Sequence, residues 1–378
     1  MKNPEKFKKF LPDLIVIISF ILISFIYFAP AVLDGRVITQ HDSLAAIGQG
    51  QEQRDFMARH DGERTRWNLS MFGGMPSYQM SPTYDSTKPQ DLAKKMYQLF
   101  LPDYVFLVFI MLLGFYILMR AFKASPLISA LGAIIWAFSS YFFIIIAAGH
   151  IWKFITLAYI PPTIAGLVYI YRKKYLLGAL LVMIFVAFQI SANHIQMSYY
   201  FFFLMFFMVV AFFVQAIREK KLPDFLKSTA VLAIAGLIGV AANASNLYHT
   251  WEYSKETMRG KSELSHHGAE NKSNNGLERD YITAWSYGIG ETWTLLVPNT
   301  KGGASVPLSE NKKAMEKARP EYRELYGQIG QYWGDQPGTS GPVYVGAFVL
   351  TLFILGLFIV KGPIKWALLA GTVFSILL

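Results

Sequence analysis

The sequence predicts an all-α polytopic membrane protein with two long extracytoplasmic loops, and three features carry that prediction. First, 53% of the 378 residues are hydrophobic and only 16% are charged, where a soluble globule averages about 25% charged. Second, hydrophobic runs of membrane-spanning length recur along the chain. Third, lysine and arginine concentrate in alternate short connections between those runs.

The runs lie at Leu14–Leu33, Tyr104–Met119, Leu127–Ala147, Phe154–Tyr171 and Tyr175–Ser191, then at Met197–Ile217, Leu226–Ala242 and Val343–Val360, with a ninth starting near Trp366. Each approaches the ~20 apolar residues that cross a ~30 Å hydrocarbon core. Only helices can satisfy the backbone of such segments in lipid. The order is therefore a cytoplasmic N-terminus and first span (1–33), a first extracytoplasmic loop (34–103), six spans with short turns (104–242), a second large extracytoplasmic loop (243–342), and a span followed by the start of another (343–378). Because the ninth run stops at Ser375-Ile376-Leu377-Leu378 without a flank, the sequence is expected to be a piece of a longer protein. Ala29-Pro30-Ala31 also mimics a signal-peptide cleavage site, so a cleaved first run is the alternative. Either way the segment from Asp34 to about Asp103 is expected outside.

Orientation follows from the basic residues of the short connections. Lys2, Lys6, Lys8 and Lys9 precede the first run, Arg120 and Lys123 follow the second, and Arg172, Lys173 and Lys174 follow the fourth. Arg218, Lys220, Lys221 and Lys227 follow the sixth, and Lys361 and Lys365 the eighth. The alternate turns at 149–153 and 192–196 hold one basic residue, Lys153. The formal charge of +10 is thus a topology signal that places the N-terminus inside, and it gives no support to nucleic-acid binding. All seven histidines fall on the outer side. The absence of cysteine excludes disulfides, Cys-ligated zinc and thiol catalysis.

The first outer loop opens with "VITQHDSLAAIGQGQEQRD", in which Asp42 lies a few residues beyond the first run. An amphipathic helix is expected over 44–64, with Leu44, Ile47 and Phe56 suited to a membrane surface. Asp42 has two readings, a helix N-cap or a carboxylate doing chemistry at the membrane surface. Glycine and proline in "TRWNLSMFGGMPSY" mark tight turns after it.

Two short turns add "AAGHIWKFI", with His150, Trp152 and Lys153, and "ISANHIQMS", with Asn193, His194 and Gln196. Trp152 suits an interfacial belt, and Lys153 suits snorkelling to headgroups. Alternatively, Lys153, His150 and His194 together bind an anion such as a lipid phosphate. In the second long loop Arg259-Gly260-Lys261 offers two donors for phosphate, and Arg suits bidentate recognition. Glu291 lies in the middle of the glycine-rich "WSYGIGETWTLLVPNTKGG". The nearby Trp251, Tyr253, Trp285, Tyr287 and Trp293 either stack on sugars or form a small loop core. A charged helix is expected over "LSENKKAMEKARPEYRELYGQ".

Metal binding has no ligand motif: His266-His267 are adjacent, and His-Glu-x-x-His and Asp-x-Asp are missing. Serine-nucleophile and Walker signatures are missing too. The matches Asn68, Asn243 and Asn271 to Asn-x-Ser have meaning only in a eukaryotic secretory pathway.

The short N-terminus, first span and long outer loop with an early acidic residue resemble the GT-C class of polytopic glycosyltransferases. "HDS" at 41–43 and "RWNLSMFGGMP" at 66–76, with "AGHIWK" and "WSYGIGETWTLLVPNTKGG", resemble more narrowly the YfhO-type membrane protein family. That resemblance implies a GT-C-like helix bundle in the bacterial cytoplasmic membrane. It implies a polyprenyl-phosphate-linked sugar as donor and an envelope glycan or lipid as acceptor. Asp42 takes the role of the catalytic acidic residue. Lys153, His150, Arg259 and Lys261 become candidates for the donor phosphate, and His41, Trp67, His194, Gln196 and Glu291 for other substrate contacts. Some GT-C branches carry two neighbouring acids, whereas His41 and Ser43 flank Asp42, so dependence on a divalent metal stays open. The competing classes are a lipid or glycan transporter or flippase, which predicts ionisable residues or broken helices near the midplane, and a non-catalytic envelope assembly protein.

Overall fold

The computed structural model describes residues 4–80, 82, 84–257, 277 and 279–378, and for 4–9 and His41 it describes the backbone alone. The described chain is mostly helical, with only two short antiparallel strand pairs. The principal helices are α1 (Pro4–Tyr27), α2 (His41–Gln49), α3 (Gln51–Arg59), α4 (Lys88–Tyr97), α5 (Val105–Ala121), α6 (Pro126–Ala137) and α7 (Ser140–Ala148). They continue as α8 (Ile151–Tyr171), α9 (Tyr175–Ser191), α10 (Ile195–Arg218), α11 (Leu222–Ala241), α12 (Ala244–Ser254), α13 (Ala347–Ile359) and α14 (Ile364–Leu377).

Four of these, α1, α8, α10 and α11, are long and apolar enough to cross a membrane, and α6 with α7 make a fifth if the pair is one broken span. The other apolar helices are shorter; the 17 residues of α5 rise about 25 Å. The architecture is that of a helical protein with membrane character. The 104–242 region holds seven described helices where six were expected, because the Leu127–Ala147 run is interrupted. Serines break helices by offering the backbone other partners. Here the Ser140 hydroxyl accepts from the Tyr344 backbone N–H at 2.9 Å.

The chain divides into two units. The first comprises Met1–Phe138, Gly149–Asn246 and Lys361–Thr372, and α8 is its centre, buried along nearly all of Phe154–Ile170. Pro161 and Pro162 lie inside α8 and remove two backbone donors, freeing the carbonyls of Leu157 and Ala158. Gly114 of α5 packs against this point so closely that a Cβ there would lie 2.6 Å from the Ala158 oxygen. On the other side Gly166 and Gly178 let α8 and α9 meet backbone to backbone, since a Cβ on Gly178 would come within 2.6 Å of the Gly166 oxygen. Small residues at such contacts are how helices associate where lipid replaces water. Near the prolines, buried Gln189 donates to Thr163 Oγ1 at 2.6 Å and accepts from Ser198 at 3.0 Å.

α10 carries the complementary feature. Tyr199, Phe202, Phe206, Val210, Phe213 and Ile217 form an exposed apolar stripe at three- and four-residue spacing. Such a continuous face has a physical rationale against lipid and none against water. At one end of the unit, Arg120 of α5 pairs with Asp13 of α1 at 2.9 Å, and Lys173 with Asp224 at 2.7 Å.

The first long loop folds on the same unit. The helix expected over 44–64 is two helices, α2 and α3, divided at Gly50. Beyond them Trp67–Asn68 (β1) pairs with Met75–Pro76 (β2) around the glycine turn. Glu52 of α3 anchors this hairpin by accepting from the backbone N–H groups of Leu69 and Ser70 at 2.9 and 2.8 Å.

The second unit comprises Ser139–Ala148, Leu247–Val360 and Val373–Leu378. Its centre is the pairing of Gly302–Pro307 (β3) with Gly330–Tyr332 (β4), which has an irregular register. The charged helix expected over 308–328 is broken into two α turns and two 3₁₀ turns, Pro320 opening one of the latter. Of the aromatic residues offered as a loop core, Trp251, Trp285 and Trp293 each show about three-fifths of their surface, whereas Tyr253 is half-buried.

Candidate functional site

Asp42 sits in the first turn of α2, and the N-cap position belongs to Gln40, whose backbone is extended. The capping reading of Asp42 is therefore corrected: the helix starts two residues earlier than that reading requires, at His41. Gln40 is 98% buried, and its Oε1 accepts from Ser43 Oγ at 2.7 Å and from Tyr104 Oη at 3.3 Å. This glutamine thus ties the start of α2 to the start of α5. Acidic residues are favoured in a first helical turn by the partial positive charge of the helix end, which leaves Asp42 locally stable and half exposed.

The turn before α8 meets that helix end. Gly149 has φ +92°, and a Cβ there would lie 3.1 Å from both the Asp42 Cβ and the Ser43 nitrogen. Only glycine allows this approach without displacement. It brings His150 Nε2 to 2.8 Å from Asp42 Oδ2. Both side chains are about half exposed, and ion pairs in that environment contribute only ~0.2–1 kcal/mol. The close fit at Gly149, more than the pair, fixes the geometry.

His194, in the turn between α9 and α10, completes this end of the unit. Burial first, then the Lys153 ammonium and His150, hold its imidazole below the ordinary histidine value. Lys153, His150 and His194 therefore share one electrostatic neighbourhood beside Asp42. Gln196 is the second residue of α10 and donates to Tyr200 Oη at 2.7 Å.

Beside this group is a cavity of about 980 Å³. Its walls include Arg64, Arg66 and Lys94 from the first loop, Trp152 and Asn193 from the two turns, and Asn243 from the end of α11. Lys94 bonds Ser191 Oγ at 2.8 Å and Asp91 at 2.7 Å. Asn243 is 1% exposed; its Nδ2 donates to the Ala187 oxygen at 3.0 Å, while its Oδ1 has no hydrogen-bond partner among the described residues. A buried acceptor left unsatisfied costs about 1–3 kcal/mol. Asp42, His150 and Lys153 do not line the cavity themselves, although Trp152 lies between two of them in sequence.

The remaining expected residues are dispersed. Trp67 belongs to β1 and packs over Gly74, where a Cβ would lie 2.6 Å from its Nε1. Glu291 belongs to the second unit; it is 6% exposed and accepts from Tyr332 Oη at 2.9 Å on each carboxylate oxygen. Burial raises the Tyr332 phenol to about 12, and Glu291 pushes it the same way. Arg259 and Lys261 lie outside the described residues, as does the side chain of His41. No cluster of three His, Asp or Glu side chains placed to hold a metal occurs among the described residues.

Sequence reading missed Gln40, Lys94 and Asn243. The last was visible only as an Asn-x-Ser match, and its burial gives it a different meaning. Asn68, another such match, is fully buried and accepts from Ser70. No protein-family model, no curated protein and no solved structure matches the chain.

Proposed function

We propose that the chain is a membrane glycosyltransferase of the GT-C class, resembling the YfhO-type family, that transfers a sugar from a polyprenyl-phosphate donor to an envelope glycan or lipid on the extracytoplasmic side. The observation that carries this reading is the Asp42–His150 pair at the ends of apolar helices, next to a large polar cavity. A lipid-linked donor requires its reacting carbon at that depth.

In this mechanism the acceptor hydroxyl oxygen attacks the anomeric carbon while Asp42 takes its proton. The bond from that carbon to the lipid phosphate oxygen breaks, its electron pair leaves with the phosphate, and the configuration inverts. The transition state has oxocarbenium character, as in glycoside chemistry generally. Lys153 neutralises charge gained by the leaving phosphate. His150 holds the carboxylate, and the cavity wall around Trp152, Asn193 and Asn243 receives sugar hydroxyls.

The purified chain in lipid should move radiolabelled sugar from a polyprenyl-phosphate donor to an envelope glycan or lipid fraction. Absence of transfer with every such donor and acceptor pair would remove the enzymatic reading.

A transporter reading draws on a different feature, the buried Gln189–Thr163–Ser198 group beside Pro161 and Pro162. Polar groups and prolines within spans often mark transport pathways. Transbilayer movement of a labelled polyprenyl-phosphate sugar, without its consumption, is the result that would favour it.

A further inference from the structure

A second cleft, of about 370 Å³, opens at the far end of α8, opposite the Asp42 group. Five cations line it: Arg120 and Lys123 after α5, and Arg172, Lys173 and Lys174 after α8. Asp13 pairs with Arg120 and Asp224 with Lys173. Lys123, Arg172 and Lys174 form no ion pair among the described residues. Three positive charges therefore converge without a neutralising carboxylate.

The cleft is built, and not merely crowded with charge. Arg172 donates to the Ala121 carbonyl at the end of α5 and lies 5.9 Å from the centre of the Phe122 ring, so its guanidinium is fixed across two helix ends. Lys174 Nζ lies 5.3 Å from the Tyr169 ring centre. Lys123 and Lys173 have φ +67° and +61°, a conformation that favours glycine as the residue after a helix. Lysine stands in both places despite a cost of about 1–2 kcal/mol.

We propose that this cleft binds the phosphate of an anionic phospholipid headgroup. Converging cations recognise a phosphodiester, and the planar Arg172 suits two of its oxygens. Tyr169 and Tyr171, which also line the cleft, suit the boundary between headgroups and acyl chains, and basic pockets between helices at the cytoplasmic side are where such lipids are held. The inference is independent of the sugar-transfer reading and rests on the membrane character of the helices and on the cytoplasmic side expected for these connections.

The test uses the whole chain in nanodiscs of phosphatidylcholine with phosphatidylglycerol, with retained phosphatidylglycerol measured by native mass spectrometry after detergent exchange. Lys123→Gln and Lys174→Gln should each weaken retention about five-fold, and the double variant about 30-fold, at ~1 kcal/mol per charge near an anionic surface. Lys220 has the same left-handed backbone, φ +55°, in another connection of the same predicted side but outside the cleft. Lys220→Gln should leave retention unchanged while removing the same charge. Equal loss with Lys220→Gln would reduce the cleft to general surface charge and overturn the proposal. Displacement of the lipid by millimolar inorganic phosphate would assign the site to free phosphate and overturn the lipid source. Unchanged retention in the double variant, with helicity preserved by circular dichroism, would overturn the site altogether.

Discussion

His150 Nε2 lies 2.8 Å from Asp42 Oδ2, which joins the first helix of the long N-terminal loop to the turn that starts the most buried helix of the protein. Two segments far apart in sequence thereby form one carboxylate–imidazole pair. Its exposure allows a ligand to reach it, and its low intrinsic stability means that its loss can be tested without unfolding the chain.

Asp42→Asn keeps the shape and removes the base. Because Gln40 occupies the cap position, the variant should insert normally and keep its stability within about 1 kcal/mol. Sugar transfer should fall by about 10²–10⁴ while donor binding persists. Transfer at the wild-type rate would end the catalytic assignment and move the search to Glu291.

Gly149→Ala tests the fit that makes the pair. A Cβ there meets the Asp42 Cβ and the Ser43 nitrogen, and φ +92° is unfavourable for alanine. Stability should drop by about 1–3 kcal/mol, with transfer reduced alongside. A thermal-denaturation midpoint identical to wild type would show that α2 and the 149–153 turn are not held together as described.

Lys153→Ala should raise the dissociation constant for a polyprenyl-phosphate sugar about ten-fold, or ~1.4 kcal/mol, with little effect on thermal stability. If affinity is unchanged, Lys153 serves the headgroup region and not the donor.

His194 supplies a pH dependence. Its folded-state value lies below the unfolded value of about 6.5, so the unfolded chain takes up the proton first as pH falls. Stability should be full above about pH 6.5, decline below it, and level off once the folded imidazole also protonates. Lys153→Ala should move the His194 titration upward, because the Lys153 ammonium contributes to the depression. Titration of the His194 ring resonance by NMR in both proteins checks the direction; an unshifted or lowered value in the variant contradicts the shared neighbourhood.

The chain has no cysteine, so topology can be read with single introduced ones. Ser86→Cys should react with an impermeant thiol reagent in intact cells, and Lys173→Cys should not. The reverse pattern would place Asp42 on the cytoplasmic side and remove the extracytoplasmic reaction.

The sequence by itself determined the helices and the residues available for chemistry. The helices α5, α8, α9, α10 and α11 cover the hydrophobic runs because, without water, an apolar segment can satisfy its backbone only within itself. That requirement is local and shows in composition. Asp42, His150, Lys153 and His194 were legible as polar residues just beyond apolar ends. Tertiary structure alone decided what depends on approach between distant segments. Gly149 reads as an ordinary turn glycine until Asp42 and Ser43 lie against it, and Gln40 as an ordinary loop residue until Tyr104 and Ser43 bond it. The break at Phe138-Ser139 and the burial of Asn243 and Glu291 were hidden for the same reason. Hydropathy records how each residue meets water, whereas partner, burial and distance are set by which helix faces pack together.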